Sequence, residues 1–175
     1  MGISSEKKFT RSYGLDEIAL VPTSVTIDPD LVDISTTIAG VKMKIPVFAS
    51  AMDSVVSPKT AGIIGKLGGL AVLNLEGVQT RYEEPNVILE KIAQVEKADY
   101  VALMQRFYQE NDIKKELIIK RIQEIKSQNV PVVVSSTPQR AAELGPIAQK
   151  AGADIFVVQS TVISTQFITN NQASI

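Results

Sequence analysis

The stretch at residues 45–56, IPVFASAMDSVV, constrains the fold more than any other part of the chain. Its apolar run at residues 47–49 ends in a short polar segment. Ser57 followed by Pro58 is then a residue pair that typically caps and opens a helix. A strand, a polar turn and a helix make one βα unit, and such units carry their functional side chains in that turn. We therefore expect a chain of βα units with its chemistry at the ends of strands.

Later apolar runs end in the same way. The runs at residues 70–73, 131–134 and 155–158 are followed by Asn74, by Ser135 and Ser136, and by Gln159, Ser160 and Thr161. Strands that are apolar at consecutive positions are buried on both faces, as in parallel sheets. A helix is expected to open at Thr137 and Pro138 and to end at Gly152. The pattern predicts parallel βα repeats with polar residues at the carboxyl ends of the strands.

Parallel βα repeats occur in the closed (β/α)8 TIM barrel and in the open doubly wound sheet. The open sheet usually carries a G-x-G-x-x-G motif after a strand, and no such motif follows any predicted strand here. A whole barrel takes about 250 residues. The expected fold class is therefore α/β of the TIM-barrel family, with about the first four βα units forming residues 13–165. Such a half barrel would leave two strand edges unpaired.

The segments outside the repeat are less regular. Residues 1–12 are expected to form a flexible arm and residues 166–175 a polar tail. Residues 24–37 alternate roughly between apolar and polar side chains around a turn at residues 28–30, Asp-Pro-Asp. We interpret this stretch as a hairpin or extended arm before the main fold, and a lid over the bottom of the barrel is its simplest role.

The middle and the end of the repeat leave three details to test. Asp112 is expected to cap an amphipathic helix that reaches about Gln128. Even spacing of the repeat would make residues 100–104 a strand, although the pattern alone leaves this open. Pro146 is expected to shorten, kink or restart the helix that contains it.

Composition excludes several kinds of function. The 175 residues contain no cysteine and no histidine, so disulfides, thiolate or histidine metal sites, a cysteine nucleophile and a Ser-His-Asp triad cannot form within them. The net charge of −1 argues against nucleic-acid binding. Mean hydropathy is +0.11 and no apolar run approaches the ~20 residues that span a bilayer. The N-terminus has no signal-peptide pattern, so we expect a cytoplasmic protein.

With these residues in view, the chain resembles the IMP dehydrogenase and GMP reductase family, and within it the branch without paired CBS domains. The match is carried in order by YGLDEIALVP, IPVFASAMDSVV, KLGGLAVLN and LMQRFYQE. The resemblance implies that residues 131–136 and 155–160 form the third and fourth barrel strands. Residues 97–112 then lie where longer relatives insert their CBS pair, which argues against a strand at residues 100–104.

The resemblance implies a purine nucleotide (IMP, XMP or GMP) at the carboxyl end of the barrel, with NAD or NADP stacked on it. Ser50 and Met52 would bind the substrate, and Asn74, Gln159, Ser160 and Thr161 would bind the cofactor. Gln159 stands where relatives carry an aspartate, which leaves the cofactor's orientation open. Asp53 and Glu76 are carboxylates at the same mouth, of a kind more often solvated or paired than catalytic.

The family's nucleophilic cysteine and phosphate-binding glycines belong to the later half of its barrel. The resemblance therefore implies no catalytic residue in this chain, which would be part of a purine-nucleotide oxidoreductase and inactive alone. The resemblance also implies a homo-oligomer, as the intact family forms tetramers. Two alternatives are a truncated, non-catalytic remnant that associates with itself and a flavin- or phosphate-binding barrel fragment.

Overall fold

A four-stranded parallel sheet is the centre of the computed structural model, which describes residues 11–22, 24–96 and 98–159. Its strands are β3 (Phe48–Ala49), β4 (Leu70–Asn74), β5 (Val133–Ser136) and β6 (Ile155–Val158), in that spatial order. Each strand therefore pairs with its sequence neighbour in the sheet, and all the pairs are parallel. The strands lie where the apolar runs predict them.

Five helices connect or flank these strands within the described residues. They are α1 (Pro58–Lys66), α2 (Pro85–Ala93), α3 (Tyr100–Glu110), α4 (Lys115–Lys126) and α5 (Pro138–Ala151). The Ser57 hydroxyl accepts a hydrogen bond from the Thr60 backbone N–H at 3.2 Å, as expected for the N-cap of α1. Gly152 ends α5 with a φ of 97°, a left-handed conformation that favours glycine.

Both faces of the two central strands, β4 and β5, are buried, as their continuous apolar runs require. On one face Ala71, Leu73 and Val134 pack in a core that includes Ile118 and Ile122 of α4. On the other face a smaller core forms around Leu70, Val72 and Val133 of the strands. Met43, which precedes the sheet in sequence, completes this core. Successive side chains of a strand point to opposite faces, so both cores draw on the same strands.

A tight antiparallel hairpin precedes the sheet, later in the chain than the sequence predicts. It joins β1 (Thr36–Ile38) to β2 (Val41–Met43) through Ala39 and Gly40, whose φ angles are 49° and 80°. Two positive φ angles match the twist of paired strands, and glycine adopts one of them without strain. The turn expected at residues 28–30 is present, but no strand pair spans it among the described residues, so of the two interpretations of residues 24–37 the hairpin is wrong. Proline fixes φ near −65°, which suits the 3₁₀ turn observed at Pro29–Leu31.

The chain divides into two units, Met1–Asp33 and Ile34–Ile175. The described residues of the first unit contain short 3₁₀ turns at Leu15–Glu17 and Pro29–Leu31, and all of them are exposed. The Asp28 carboxylate accepts a hydrogen bond from the Asp30 N–H at 3.1 Å and caps the second turn. The arm at residues 1–12 falls almost wholly outside the described residues, as does the tail at 166–175.

The structure decides the details of the middle segment. Residues 100–104 are helical in α3, so the evenly spaced strand is wrong and the expectation from the family resemblance is correct. Asp112 does not cap α4, whose N-cap is Lys114. The Lys114 N–H donates to the Thr80 carbonyl at 2.9 Å, so a contact with the loop after β4 fixes where the helix begins.

Helix α5 continues from Pro138 to Ala151 with Pro146 inside it. The proline therefore neither shortens nor restarts the helix, contrary to two of the expected outcomes. Pro146 lies on the exposed side, whereas Leu144 and Ala148 on either side of it are buried. Burial of that apolar face offsets the backbone hydrogen bond that proline cannot donate.

Candidate functional site

Three polar side chains meet at the carboxyl ends of neighbouring strands, and we call Asn74, Ser135 and Gln159 the strand-end cluster. Asn74 is the register partner of Ser135 across the pair β4–β5. The Ser135 hydroxyl donates to the Gln159 side-chain carbonyl at 3.2 Å, and the Gln159 N–H donates to the Ser136 carbonyl at 2.8 Å. The parallel register therefore brings Asn74 and Gln159 to the same end of the sheet, one on each side of Ser135.

The Asn74 side chain is held by the chain that follows it. Its carbonyl oxygen accepts a hydrogen bond from the Glu76 N–H at 3.0 Å, which forms an Asx turn. Gln159 uses its carbonyl oxygen in a similar way, as the acceptor for Ser135. Each amide can therefore offer a ligand its NH2 donor and the second lone pair of its carbonyl oxygen.

The turn after β3 carries the proposed substrate residues. The Met52 N–H donates to the Ser50 carbonyl at 2.8 Å, so the chain folds back immediately after the strand. Met52 is half exposed and lines a cavity of about 310 Å³ together with Asn74. Ser50 is exposed, and neither it nor Gln159 is among the residues that line this cavity. Ser160 and Thr161 lie outside the described residues.

Asp53 is a paired carboxylate. Its Oδ2 accepts hydrogen bonds from the Val78 N–H and from the Tyr108 hydroxyl, both at 2.8 Å. Burial, and then the negative charge of Asp53, raise the pKa of Tyr108 well above its ordinary value. The tyrosine therefore stays protonated at neutral pH and joins α3 to the turn after β3.

Glu76 is also paired. Its Oε1 accepts a short hydrogen bond from the Thr137 N–H at the start of α5, and its Oε2 lies 3.8 Å from the Arg140 Nε. A carboxylate is favoured at a helix N-terminus because it meets unpaired N–H groups and the positive end of the helix dipole. Both mouth carboxylates therefore have structural partners, and Glu76 links the end of β4 to the beginning of α5.

The segment at residues 75–84, which we call the β4 loop, is held by two arginines. Arg121 is buried and donates to the backbone carbonyls of Gln79, Tyr82 and Glu83 at 3.0, 3.1 and 2.7 Å. The Arg121 guanidinium also pairs with Glu124 at 3.0 Å. Arg81 donates to the carbonyls of Glu76, Tyr108 and Asn111. These contacts give the β4 loop a defined shape beside the strand-end cluster.

Sequence reasoning did not assign roles to Ser135, Tyr108, Arg81 or Arg121. The sequence did contain a signal for Ser135, because this residue ends a predicted buried strand as Asn74 does. Its neighbours could be inferred from the order of the strands in a parallel sheet. The arginines and Tyr108 gave no local signal for these roles, since the contacts that join separate elements reach partners 27 or more residues away. No cluster of acidic residues suited to a metal ion exists among the described residues.

The fold and the site define a class of protein. Parallel βα units with polar residues at the carboxyl ends of the strands are the arrangement of TIM-barrel-type enzymes. A model of the IMP dehydrogenase / GMP reductase domain matches residues 12–173. The chain belongs to the IMP dehydrogenase/GMP reductase family, as its sequence resemblance indicates.

Known relatives agree with this assignment. The chain is 31% identical, over 92% of its length, to an uncharacterized oxidoreductase of Mycolicibacterium smegmatis, and 38% identical over 64 residues to an inosine-5'-monophosphate dehydrogenase of Methanocaldococcus jannaschii. The second match covers 37% of this chain and 13% of that enzyme.

A solved structure supports the TIM-barrel type of fold. The IMP dehydrogenase/GMP reductase-like protein of Corynebacterium glutamicum superimposes with a TM-score of 0.81 at 30% identity, over 92% of this chain. The chain spans 44% of that protein and 44% of the M. smegmatis relative. It therefore matches less than half the length of each of these two relatives. No helix among the described residues is long and apolar enough to span a membrane.

Proposed function

We propose that this chain supplies one wall of a purine-nucleotide site in an oxidoreductase that transfers hydride between the purine C2 and NAD or NADP. The observation that carries the proposal is the strand-end cluster, in which Asn74, Ser135 and Gln159 lie side by side at the carboxyl ends of β4, β5 and β6. In parallel βα folds, ligands bind at that end. In this proposal the four strands form about half of an eight-stranded barrel.

The side chains at this end suit a nucleotide. Met52 is half exposed and can pack its polarisable thioether against a flat base. The Asn74 and Gln159 amides offer NH2 donors, because their carbonyl oxygens are engaged by Glu76 and Ser135. Such donors match ligand acceptors such as purine oxo groups and ribose hydroxyl oxygens. Ser50 can add a hydroxyl contact.

The same donor set fits the nicotinamide cofactor that the family implies. Gln159 would hold a ribose hydroxyl or the carboxamide oxygen by its amide nitrogen, and Asn74 would do so from the neighbouring strand. The cofactor, when bound, provides the nicotinamide ring that accepts or donates the hydride. Gln159 brings no charge to this contact, so it orients a ligand without drawing a proton from it.

The chain contains no cysteine, so the nucleophile of the proposed reaction is not among its 175 residues. We therefore expect no turnover by this chain alone. The test is NADH formation from IMP and NAD, and NADPH consumption with GMP. Turnover in either assay would contradict this part of the proposal.

Binding tests the proposed wall without requiring catalysis. IMP titrated into the chain by isothermal calorimetry should bind, and Ser50→Ala should weaken that affinity about 10-fold by removing one hydrogen bond. The affinity for NAD should fall by a similar factor in Gln159→Ala, because Gln159 is assigned to the cofactor. Gln149→Ala is the matched control, because Gln149 is exposed on α5. Equal NAD affinities of the Gln159→Ala variant and the unmodified chain would reject the assigned role of Gln159, and absence of IMP binding would reject the wall.

A second candidate function is self-association of a non-catalytic chain. The observation that favours it is strand β3, which pairs only with β4 among the described strands and has exposed apolar side chains at Val47 and Phe48. Light scattering across a concentration series tests it. A stable dimer that Phe48→Glu disrupts would support association through this edge, and a monomer at all concentrations would reject it.

A further inference from the structure

Glu76, two residues after Asn74, is anchored through both its side chain and its backbone. Its Oε1 accepts a short hydrogen bond from the Thr137 N–H at the start of α5, and its Oε2 lies 3.8 Å from the Arg140 Nε. Its backbone carbonyl accepts from the Arg81 Nε at 3.0 Å. The Glu76 side chain is only 20% exposed. These contacts fix the position of Glu76 beside the strand-end cluster.

The same residue orients the Asn74 side chain. The Glu76 N–H donates to the Asn74 Oδ1 at 3.0 Å. A donor at this point selects the carbonyl end of the amide, so the NH2 group points away from it. Leu75, between the two residues, is buried, and its N–H donates to the Ser135 carbonyl at 2.9 Å. The direction of the Asn74 amide therefore depends on where Glu76 is held.

Asn74 borders open space, whereas Glu76 does not contact it. Asn74 and Met52 line the cavity of about 310 Å³ after β3, and Glu76 is not among the residues that line this cavity. An effect of Glu76 on a ligand in this cavity must therefore pass through Asn74. An amide with a preset direction loses little freedom when it donates to a ligand.

The way in which α5 is capped explains why a carboxylate stands at this position. Thr137 makes no side-chain capping hydrogen bond, and α5 is 14 residues long, so its N-terminus favours a negative charge. A capping side chain on Thr137 would stabilise the helix without holding any other element. The Glu76 carboxylate does both, because it caps α5 from the segment that follows β4.

We propose that Glu76 is a positioning residue of the binding wall, whose carboxylate anchors the segment after β4 to α5 and thereby sets the direction of the Asn74 NH2 group. For the ligand, this inference rests on the function proposed above, in which Asn74 donates to the cofactor. The orientation itself is a property of the chain without a ligand, so it can be tested separately.

The side-chain NH2 signal of Asn74 in a ¹H–¹⁵N spectrum of the ligand-free chain reports this orientation. Its absence from the spectrum of Asn74→Asp assigns it. The heteronuclear NOE should show restricted motion in the unmodified chain and in Glu76→Gln, whose side-chain oxygen can still accept from Thr137. In Glu76→Ala the NOE should fall and both proton shifts should change. An unchanged signal in Glu76→Ala, or a mobile one in the unmodified chain, would overturn the proposal.

Two control variants separate this orientation from a general loss of stability. Ser57→Ala removes the N-cap of α1 and should destabilise the chain while leaving the Asn74 signal unchanged. Glu143→Ala removes a second carboxylate beside Arg140, 3.7 Å from its Nη1, and should also leave the signal unchanged. A loss of restricted motion in either control as large as that in Glu76→Ala would overturn the proposal.

A double-mutant cycle measured by NAD titration calorimetry connects the orientation to binding. Asn74→Ala should weaken NAD binding about 10-fold, and Glu76→Ala should weaken it about 3- to 10-fold. The double variant should bind no more weakly than Asn74→Ala, because Glu76 acts through Asn74. Circular dichroism confirms that each variant is folded. A further loss in the double variant, or unchanged affinity in Glu76→Ala, would overturn the proposal.

The two kinds of measurement also separate this proposal from the preceding one. If the unmodified chain does not bind NAD, the assignment of the strand-end cluster to the cofactor fails. The ligand-free spectrum then decides by itself whether Glu76 orients Asn74. If NAD binds and the Asn74 signal is the same in Glu76→Ala, only the role of Glu76 is rejected.

Discussion

The strand-end cluster and the β4 loop lie beside each other but are held by different kinds of contact. In the cluster, the backbone register of parallel strands places Asn74 beside Ser135, and a hydrogen bond from Ser135 adds Gln159. In the β4 loop, long side chains such as Arg121 reach the backbone from 38 or more residues away. The comparison shows that backbone pairing between strands positions the proposed binding wall, while single long side chains hold the β4 loop beside it.

The largest expected effect on stability comes from removing Arg121, whose hydrogen bonds hold the β4 loop. Arg121→Ala would leave the buried carbonyl of Gln79 and the partly buried carbonyls of Tyr82 and Glu83 without this donor, so we expect a loss of about 3–5 kcal/mol in the free energy of unfolding. Urea denaturation measures it. Arg106→Ala is the control, because its ion pair with Glu110 is exposed and should contribute less than about 1 kcal/mol. Equal losses in the two variants would show that Arg121 does not hold the loop.

A methyl group on Gly77 should disturb the same loop through Asp53. Its Cβ would lie 2.0 Å from the Asp53 Oδ1, so Gly77→Ala must displace the carboxylate and should cost about 1–3 kcal/mol. Gln149→Ala is the control, since Gln149 is exposed on α5. That variant should change the stability measured by thermal unfolding by less than about 0.5 kcal/mol. A neutral Gly77→Ala would indicate that Asp53 moves freely.

The Tyr108 hydroxyl should contribute a stability that depends on pH. Tyr108→Phe removes its hydrogen bond to Asp53 and should cost about 1–2 kcal/mol near pH 8. The folded chain raises the pKa of Tyr108, so this stabilisation is complete below the ordinary tyrosine pKa of about 10 and is lost as pH rises above it.

Urea denaturation near pH 8 and near pH 11 measures this dependence. The stability gap between the unmodified chain and Tyr108→Phe should narrow at the higher pH. Tyr100→Phe is the control, because Tyr100 is exposed, and it should show a small gap at both pH values. A gap for Tyr108→Phe that is independent of pH would contradict the proposed contact.

The smallest expected effect is at the N-termini of two helices, α1 and α5, each of which follows a strand of the sheet. Ser57→Ala removes a side-chain cap of α1 and should cost about 1 kcal/mol. Thr137 makes no side-chain capping hydrogen bond, because Glu76 occupies the N-terminus of α5 instead. Thr137→Ala should therefore cost less than Ser57→Ala in urea denaturation. The reverse order would mean that Glu76 does not replace the cap.

The same comparison explains what could be predicted from the sequence. Continuous apolar runs and their polar ends locate β4, β5 and β6, and short-range rules locate the Ser57 cap and the Gly152 end. These features depend on near neighbours in the chain. The order of parallel strands then brings Asn74 close to Gln159 without further information.

The rest depends on contacts between distant residues. The start of α4 is set by a hydrogen bond from Lys114 to Thr80, which outweighs the local capping preference of Asp112. Packing of α5 carries the helix past Pro146. The hydrogen bond from Tyr108 to Asp53 joins residues 55 positions apart. The family resemblance supplied one such fact, that residues 100–104 do not form a barrel strand, which spacing alone left open.

Backbone amide chemical shifts during an IMP titration test the central claim most directly. If the strand-end cluster forms a wall of the nucleotide site, the amide signals of Asn74, Ser135 and Gln159 should shift together and saturate at one dissociation constant. Shifts confined to other parts of the chain, or no saturable shift in these residues, would contradict the account.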